Sequence, residues 1–116
     1  MEMTVATEVD NRLVLTCSGQ IGWEDRDNLV AKVRESAGET GQFHLLMDLE
    51  AVEYVNSAGI GALFQLVEML GKRDGKLVLA NVPPTLQKLF KTVALPRLAH
   101  IADTLDDARA FLDGLD

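Results

Sequence analysis

The chain has 116 residues, of which 47% are apolar and 25% are charged. This length and balance predict one globular domain spanning residues 1–116, with a modest core. The net charge of −7 repels nucleic acid and anionic membrane surfaces, so we expect neither as a partner. No window reaches the roughly 18 to 20 apolar residues of a membrane span, and the first residues do not resemble a signal peptide. We therefore expect a cytoplasmic protein.

Charge is distributed unevenly along the chain. Residues 1–56 contain 11 acidic and 4 basic side chains, whereas residues 57–116 contain 7 of each. One basic stretch of the second half predicts either a solvated face or a docking patch, and it consists of Lys72, Arg73, Lys76, Lys88, Lys91 and Arg97. The asymmetry is compatible with a monomer or a weak homodimer.

The first elements are two alternating segments, residues 3–8 and 12–18, which the turn-forming pair Asp10-Asn11 joins as an antiparallel hairpin. The second segment is expected to end at Gly19. Apolar residues then recur at helical spacing from Trp23 to about Ala37.

Residues 43–49 are almost entirely apolar, as in a strand covered on both faces, and the preceding helix makes a parallel pairing the expected one. This strand should be the centre of the sheet. Asp48 near its end is expected to accept hydrogen bonds from loop N–H groups. His44 and Cys17 lack companions at metal-ligand spacing and are interpreted as structural, as is His100.

The remaining chain alternates helices and short strands. The pattern predicts a helix over 57–72, a strand over 76–80, a helix opening at Pro83-Pro84, an edge strand over 98–101 and a last helix capped by Thr104. The order predicts an α/β fold with a mixed sheet of four to five strands and about four helices.

Ser57 lies at the predicted start of the second helix. A phosphate on its hydroxyl would place about two negative charges against free backbone N–H groups and the positive end of the helix dipole. A plain helix cap, worth about 1 kcal/mol, is the alternative interpretation of this serine.

The apolar arc of the same helix sweeps roughly 220°, which is wider than a helix on a sheet usually needs. Ala62, Leu66 and Met69 form one margin of that arc. They predict either an exposed protein-binding stripe or burial against a neighbouring helix.

Enzymatic interpretations are poorly supported. Val55 occupies the position of the leading glycine in a nucleophile elbow around Ser57, although Asp74 and His100 follow in the chain order of a hydrolase triad. Gly59-Ile60-Gly61 lacks the Lys-Ser/Thr continuation of a phosphate-binding loop.

The element order and four segments together resemble the anti-sigma factor antagonists of the STAS family over essentially the whole chain. These segments are Ser18-Gly19-Gln20-Ile21, Met47-Asp48-Leu49, Val55-Asn56-Ser57-Ala58-Gly59-Ile60-Gly61, and Gly75 to Leu79 with Pro83 and Leu89-Phe90. The resemblance implies a STAS-like domain without catalytic activity or cofactor. The usual family motif is Asp-Ser-(Ser/Thr)-Gly, and Ser57 stands at its phosphorylated serine.

The resemblance further implies partner switching. The unphosphorylated protein would bind an anti-sigma factor that is also a serine kinase, phosphorylation of Ser57 would end the binding, and a serine phosphatase would reset the cycle. Asn56 replaces the motif's aspartate and Ala58 its second hydroxyl residue, while Gly22 replaces a frequent acidic residue. All three differences leave the acceptor hydroxyl in place.

The expected partner-binding residues surround the acceptor; they are Asn56, Ser57, Ala58, Gly59, Gly61, Ala62, Leu66 and Met69. The alternative function is a constitutive STAS-type accessory subunit of a transporter or signalling scaffold, whose binding would not depend on a phosphate.

Overall fold

The computed structural model describes residues 1–8, 11–38 and 41–115, and its element order matches the predicted one. The five strands within these ranges are β1 (Glu2–Glu8), β2 (Arg12–Ile21), β3 (His44–Val55), β4 (Leu77–Ala80) and β5 (His100–Ala102). The four α-helices are α1 (Arg26–Ala37), α2 (Ser57–Gly71), α3 (Pro84–Thr92) and α4 (Leu105–Asp113). Two short 3-10 helices cover Trp23–Asp25 and Leu95–Arg97.

The strands form a single sheet in the order β1-β2-β3-β4-β5. The β1 and β2 strands pair antiparallel, and the other three pairings are parallel. The predicted mixed sheet, its hairpin and the central position of β3 are thereby confirmed. Asn11 of the hairpin turn adopts φ +68°, and Asp10 lies outside the described residues.

Helices cover both faces of the sheet, because alternate residues of β3 point in opposite directions. Leu45 and Met47 join the larger hydrophobic cluster, to which α1, α2 and α3 contribute. Leu46 joins the smaller cluster, which Ala108 and Leu112 of α4 complete. The first half of the central strand, residues 44–49, is therefore buried on both sides, as its apolar sequence predicts.

The predicted end of β3 at Leu49 is wrong, because the strand continues to Val55. Its second half pairs only with the end of β2, and two register shifts interrupt that pairing. The shifts break the strict alternation of buried and exposed residues by which a strand is recognised in sequence. The extension matters for function because it places Ser57 beyond the carboxyl end of the part of β3 that pairs with β4.

The prediction that β2 ends at Gly19 is wrong. Gly19 lies within β2 at φ +82°, beside one of these register shifts. A glycine adopts this backbone conformation without steric cost. The last strand also differs from the prediction over 98–101, because Leu98 follows a 3-10 turn and β5 begins at His100. The α-helix predicted from Trp23 begins at Arg26, after the first 3-10 turn.

Candidate functional site

Ser57 is the first residue of α2 and is exposed to solvent. It follows the carboxyl end of β3 through the single residue Asn56, which has an extended backbone. The first turn of α2 contains no acidic side chain. The N–H groups of Ser57 and Ala58 have no acceptor inside the helix, so the site combines an accessible hydroxyl with unshielded backbone dipoles.

Asn56, and not Ser57, caps the helix. The Asn56 side-chain oxygen accepts a hydrogen bond from the N–H of Gly59 at 3.0 Å. The Asn56 N–H donates to the carbonyl of Ile21 at 3.1 Å, which ties the loop to the end of β2. The interpretation of Ser57 as a plain cap is therefore wrong, and its hydroxyl is not needed for the start of the helix.

Gly59 permits the close approach of α2 to the end of β2. A Cβ atom at this position would lie 2.5 Å from the carbonyl oxygen of Ile21 and 2.7 Å from Cγ1 of Val55. Real Cβ atoms do not approach other atoms this closely, so the glycine holds Ser57 at its observed height above the sheet.

Gly22 lies beside the same loop. A Cβ atom on Gly22 would lie 3.1 Å from Nδ2 of Asn56. Gly22 and Asn56 are therefore neighbours in space, and neither carries a charge. The Gly22 N–H donates to Asp25 at 2.9 Å, and Asp25 also lies 3.4 Å from the terminal ammonium of Met1.

Two exposed aromatic side chains near Ser57 were missed by sequence reasoning. Trp23 is 76% exposed and lines a cavity of about 280 Å³ together with Asn56. Tyr54, three residues before Ser57, is 55% exposed. Tryptophan and tyrosine are enriched among residues that dominate binding energy at protein interfaces. The signal in the sequence was the acidic neighbour of each aromatic residue, Glu24 after Trp23 and Glu53 before Tyr54.

The predicted contact stripe on α2 is largely wrong. Ala62 and Leu66 are fully buried in the larger cluster, and only Met69 retains partial exposure. The α1 helix packs directly against α2 and accounts for the wide apolar arc. Of the residues predicted for partner binding beyond the loop, Gly61 and Met69 remain at the surface.

The other chemically interesting residues have structural surroundings. The ring of His100 stacks on Phe111 with centroids 3.7 Å apart, and Nδ1 of the buried His44 accepts the N–H of Lys76 at 3.0 Å. Asp48 accepts the Glu50 N–H at 3.1 Å, from a donor that lies within β3 and not in the loop that was predicted to follow Leu49.

A hydrolase triad is excluded by topology. Asp74 and His100 lie at the amino ends of the parallel strands β4 and β5, whereas Ser57 follows the carboxyl end of β3. Within the described ranges, no three His, Cys, Asp or Glu side chains come close enough together to hold a metal ion. Burial raises the pKa of the Cys17 thiol to about 12, with the Asp48 carboxylate adding to the shift, so this cysteine is an unreactive core residue.

The basic stretch seen in the sequence separates in space. Lys72 and Arg73 lie at the end of α2, and Lys88 and Lys91 lie on α3. The guanidinium of Arg73 donates to the carbonyl groups of Ala37 and Gly38 at the end of α1 and to that of Gly41 beyond it, so this side chain has a structural role. None of the helices in the described part of the chain has the length and hydropathy needed to cross a membrane.

The profile of the STAS domain family matches residues 3–108 of this chain. BtrV of Bordetella bronchiseptica is 22% identical over 110 residues, which cover 95% of this chain and 93% of BtrV. BtrV is provisionally assigned as an anti-sigma factor antagonist.

Two solved proteins show the same fold. The anti-sigma factor antagonist SpoIIAA in its unphosphorylated form matches with a TM-score of 0.74 at 17% identity, over 97% of this chain and 99% of SpoIIAA. The phosphorylated Bacillus SpoIIAA matches with a TM-score of 0.67 at 16% identity, over 95% and 99%. The murine anion transporter Slc26a9 matches with a TM-score of 0.80 at 21% identity, over 94% of this chain but 19% of the transporter. This match over residues 3–108 confirms the STAS family that the motifs predicted. The chain belongs to the STAS domain family.

Proposed function

We propose that this protein is an anti-sigma factor antagonist controlled by phosphorylation of Ser57. In the unphosphorylated form it binds an anti-sigma factor with serine kinase activity and so releases a sigma factor in the cytoplasm. Phosphorylation of Ser57 ends this binding, and a serine phosphatase restores it. The protein itself catalyses no reaction in this cycle.

The observation that carries the proposal is the exposed Ser57 hydroxyl at the start of α2, which the helix cap does not use. A kinase can reach this oxygen without unfolding the loop. A phosphate there adds a charge of about −1.5 to −2, which the helix N-terminus tolerates in the free domain.

The same charge is costly inside a protein interface. A partner that covers Ser57 would have to remove water from the phosphate, and Glu24, which lines the cavity beside Asn56, gives it no counter-charge. The switch therefore acts through the free energy of docking and needs little change in the fold. SpoIIAA, which has the same fold, supports the proposal: it is an anti-sigma factor antagonist, and its structure has been solved in an unphosphorylated and a phosphorylated form.

The test is incubation with ATP and the histidine-kinase-like serine kinase encoded in the same organism, followed by intact mass and measurement of affinity. We expect one phosphate on the wild type, none on Ser57→Ala, and much weaker partner binding by Ser57→Asp. Ser57→Ala is the matched control because it removes the acceptor without adding charge. Phosphate on another residue, or equal affinity of the wild type and Ser57→Asp, would refute the proposal.

A second candidate function is a constitutive accessory module, favoured by the likeness to a segment of the Slc26a9 transporter. Such a module would bind its partner with the same affinity whether residue 57 is Ser, Ala or Asp, and it would acquire no phosphate. The same experiment therefore separates the two functions.

A further inference from the structure

A groove runs along the surface between α1 and α2. It consists of three adjoining cavities of about 530, 250 and 310 Å³. Arg26 and Gln65 line both the first and the second cavity, and Arg34 and Met69 line both the first and the third. The 12 residues of α1 make the groove about 18 Å long.

The groove is cationic, although the protein has a net charge of −7. Arg26 and Arg34 are exposed, and neither forms a hydrogen bond or ion pair with any residue in the described ranges. Lys72 also lines the groove, and its contact with Glu68 at 3.5 Å joins two side chains that are more than 70% exposed. Such a pair contributes little stability, so Lys72 can exchange it for another carboxylate.

The groove also has an apolar component. Phe64 and Met69 are half-buried, pack against the larger core cluster and present their remaining surface to the groove. Trp23 lines the cavity at one end and is 76% exposed. Apart from Asp27 and Glu68, the lining in the described chain offers no carboxylate that would repel an anion.

We infer that this groove binds an acidic amphipathic helix of a protein partner. The two arginines are eight residues apart on α1, about 12 Å along its axis, which suits carboxylates spaced along a helix better than a single phosphate group. A length of about 18 Å accepts roughly three helical turns, and the apolar patch meets the apolar face of the ligand helix.

The groove continues the surface around Ser57. Gly61 lines it and lies one turn, about 6 Å, beyond Ser57 along α2. The identity of the partner as the anti-sigma factor rests on the proposed function, whereas the chemistry of the ligand rests on the groove alone. The helix in the groove would supply affinity, and the neighbouring Ser57 would control it.

The groove is tested with a synthetic helical peptide of about 15 residues, long enough to fill it, that carries Glu and Leu at helical spacing and no tryptophan. A matched peptide has Gln at each Glu position. Binding is followed by the fluorescence of Trp23, the single tryptophan of the chain. We expect a blue shift that saturates with the acidic peptide, and at least about tenfold weaker binding of the Gln peptide.

The protein variants compare two equal changes of net charge. Arg26→Glu with Arg34→Glu should weaken binding of the acidic peptide by about tenfold or more, whereas Lys88→Glu with Lys91→Glu on α3 should change it by less than about twofold. Arg26→Gln with Arg34→Gln, which removes charge without reversing it, should give an intermediate loss. All these side chains are exposed, and circular dichroism checks that each variant is folded.

Equal binding of both peptides, equal losses in the α1 and α3 variants, or the same blue shift with inorganic phosphate alone would overturn the inference. The peptide assay uses the unphosphorylated wild type and no kinase, so it reports on the groove and not on phosphorylation of Ser57. Failure of the acidic peptide to bind overturns the groove inference and leaves the Ser57 switch untouched. If the acidic peptide binds but the affinity for the anti-sigma partner does not depend on the charge at Ser57, only the proposed function is overturned.

Discussion

Asn56 and Ser57 divide two tasks at the start of α2. The asparagine oxygen stabilises the helix through the Gly59 N–H, and the serine hydroxyl remains at the surface. Both residue types are good helix caps, so the sequence could not decide which of them takes that role. The backbone decides which residue is the cap, because β3 ends at Val55 and the next residue, Asn56, has an extended conformation.

This division of tasks predicts different effects of two alanine substitutions. Asn56→Ala should lower the free energy of unfolding by about 1 kcal/mol, because the Gly59 N–H loses its acceptor. Ser57→Ala should change it by less than about 0.5 kcal/mol, as is usual for a surface substitution. Urea unfolding of the two variants measures both values, and a larger loss for Ser57→Ala would show that the hydroxyl supports the fold.

Two glycines of α2 provide a matched pair. Gly59→Ala should destabilise the protein by about 1 to 3 kcal/mol, because its methyl group would overlap the Ile21 carbonyl and Val55. Gly61→Ala meets no atom within 4 Å and should stabilise by up to about 1 kcal/mol, since alanine favours the helix. Both are read from denaturant midpoints, and a similar effect of the two substitutions would contradict the observed packing.

At the scale of elements, the sequence predicted the kind and order of helices and strands but not their ends near the site. The regular alternation in residues 12–18 and the apolar run in 43–49 carry clear signals of strands. The register shifts near Asp48 and Gly19 hide the extension of β3. Burial of Ala62 and Leu66 could not be predicted, because it depends on how close α1 comes to α2.

The end of α1 is held by one side chain of another element. Arg73 donates to the carbonyl oxygens of Ala37, Gly38 and Gly41 at 2.9, 3.0 and 2.7 Å. A cation at the carboxyl end of a helix is also stabilised by the negative end of the helix dipole.

Replacing this arginine should therefore destabilise the α1–α2 pair. Arg73→Gln should cost about 1.5 to 3 kcal/mol, as for hydrogen bonds from a charged donor. The neighbouring Lys72→Gln removes only an exposed contact with Glu68 and should cost less than about 0.5 kcal/mol. Thermal or urea unfolding compares the two variants, and equal stability of both would mean that Arg73 does not hold the helix end.

For the whole molecule, folding is linked to one buried proton. The pKa of the Cys17 thiol is raised from 9.0 to about 12 by burial and by Asp48. The folded state thus retains a proton that the unfolded chain loses above pH 9. This contribution is complete below pH 9 and is lost as the pH rises towards 12.

Between pH 9 and pH 10 the wild type should accordingly lose about 1 kcal/mol more stability than Cys17→Ala. The comparison removes the effects of the single tyrosine and of the lysines, which titrate in both proteins. Urea unfolding between neutral pH and pH 10 measures this difference. Parallel pH profiles of the two proteins would show that the thiol ionises in the folded state.

In the proposed cycle, the phosphate on one hydroxyl controls docking by its charge, while the fold stays the same. The most direct measurement is the affinity of one purified preparation for its anti-sigma partner before phosphorylation of Ser57, after it, and after treatment with a serine phosphatase. We predict strong binding, a loss of at least about tenfold, and full recovery, with the fold unchanged by circular dichroism. Equal affinity of the phosphorylated and unphosphorylated protein would contradict the account.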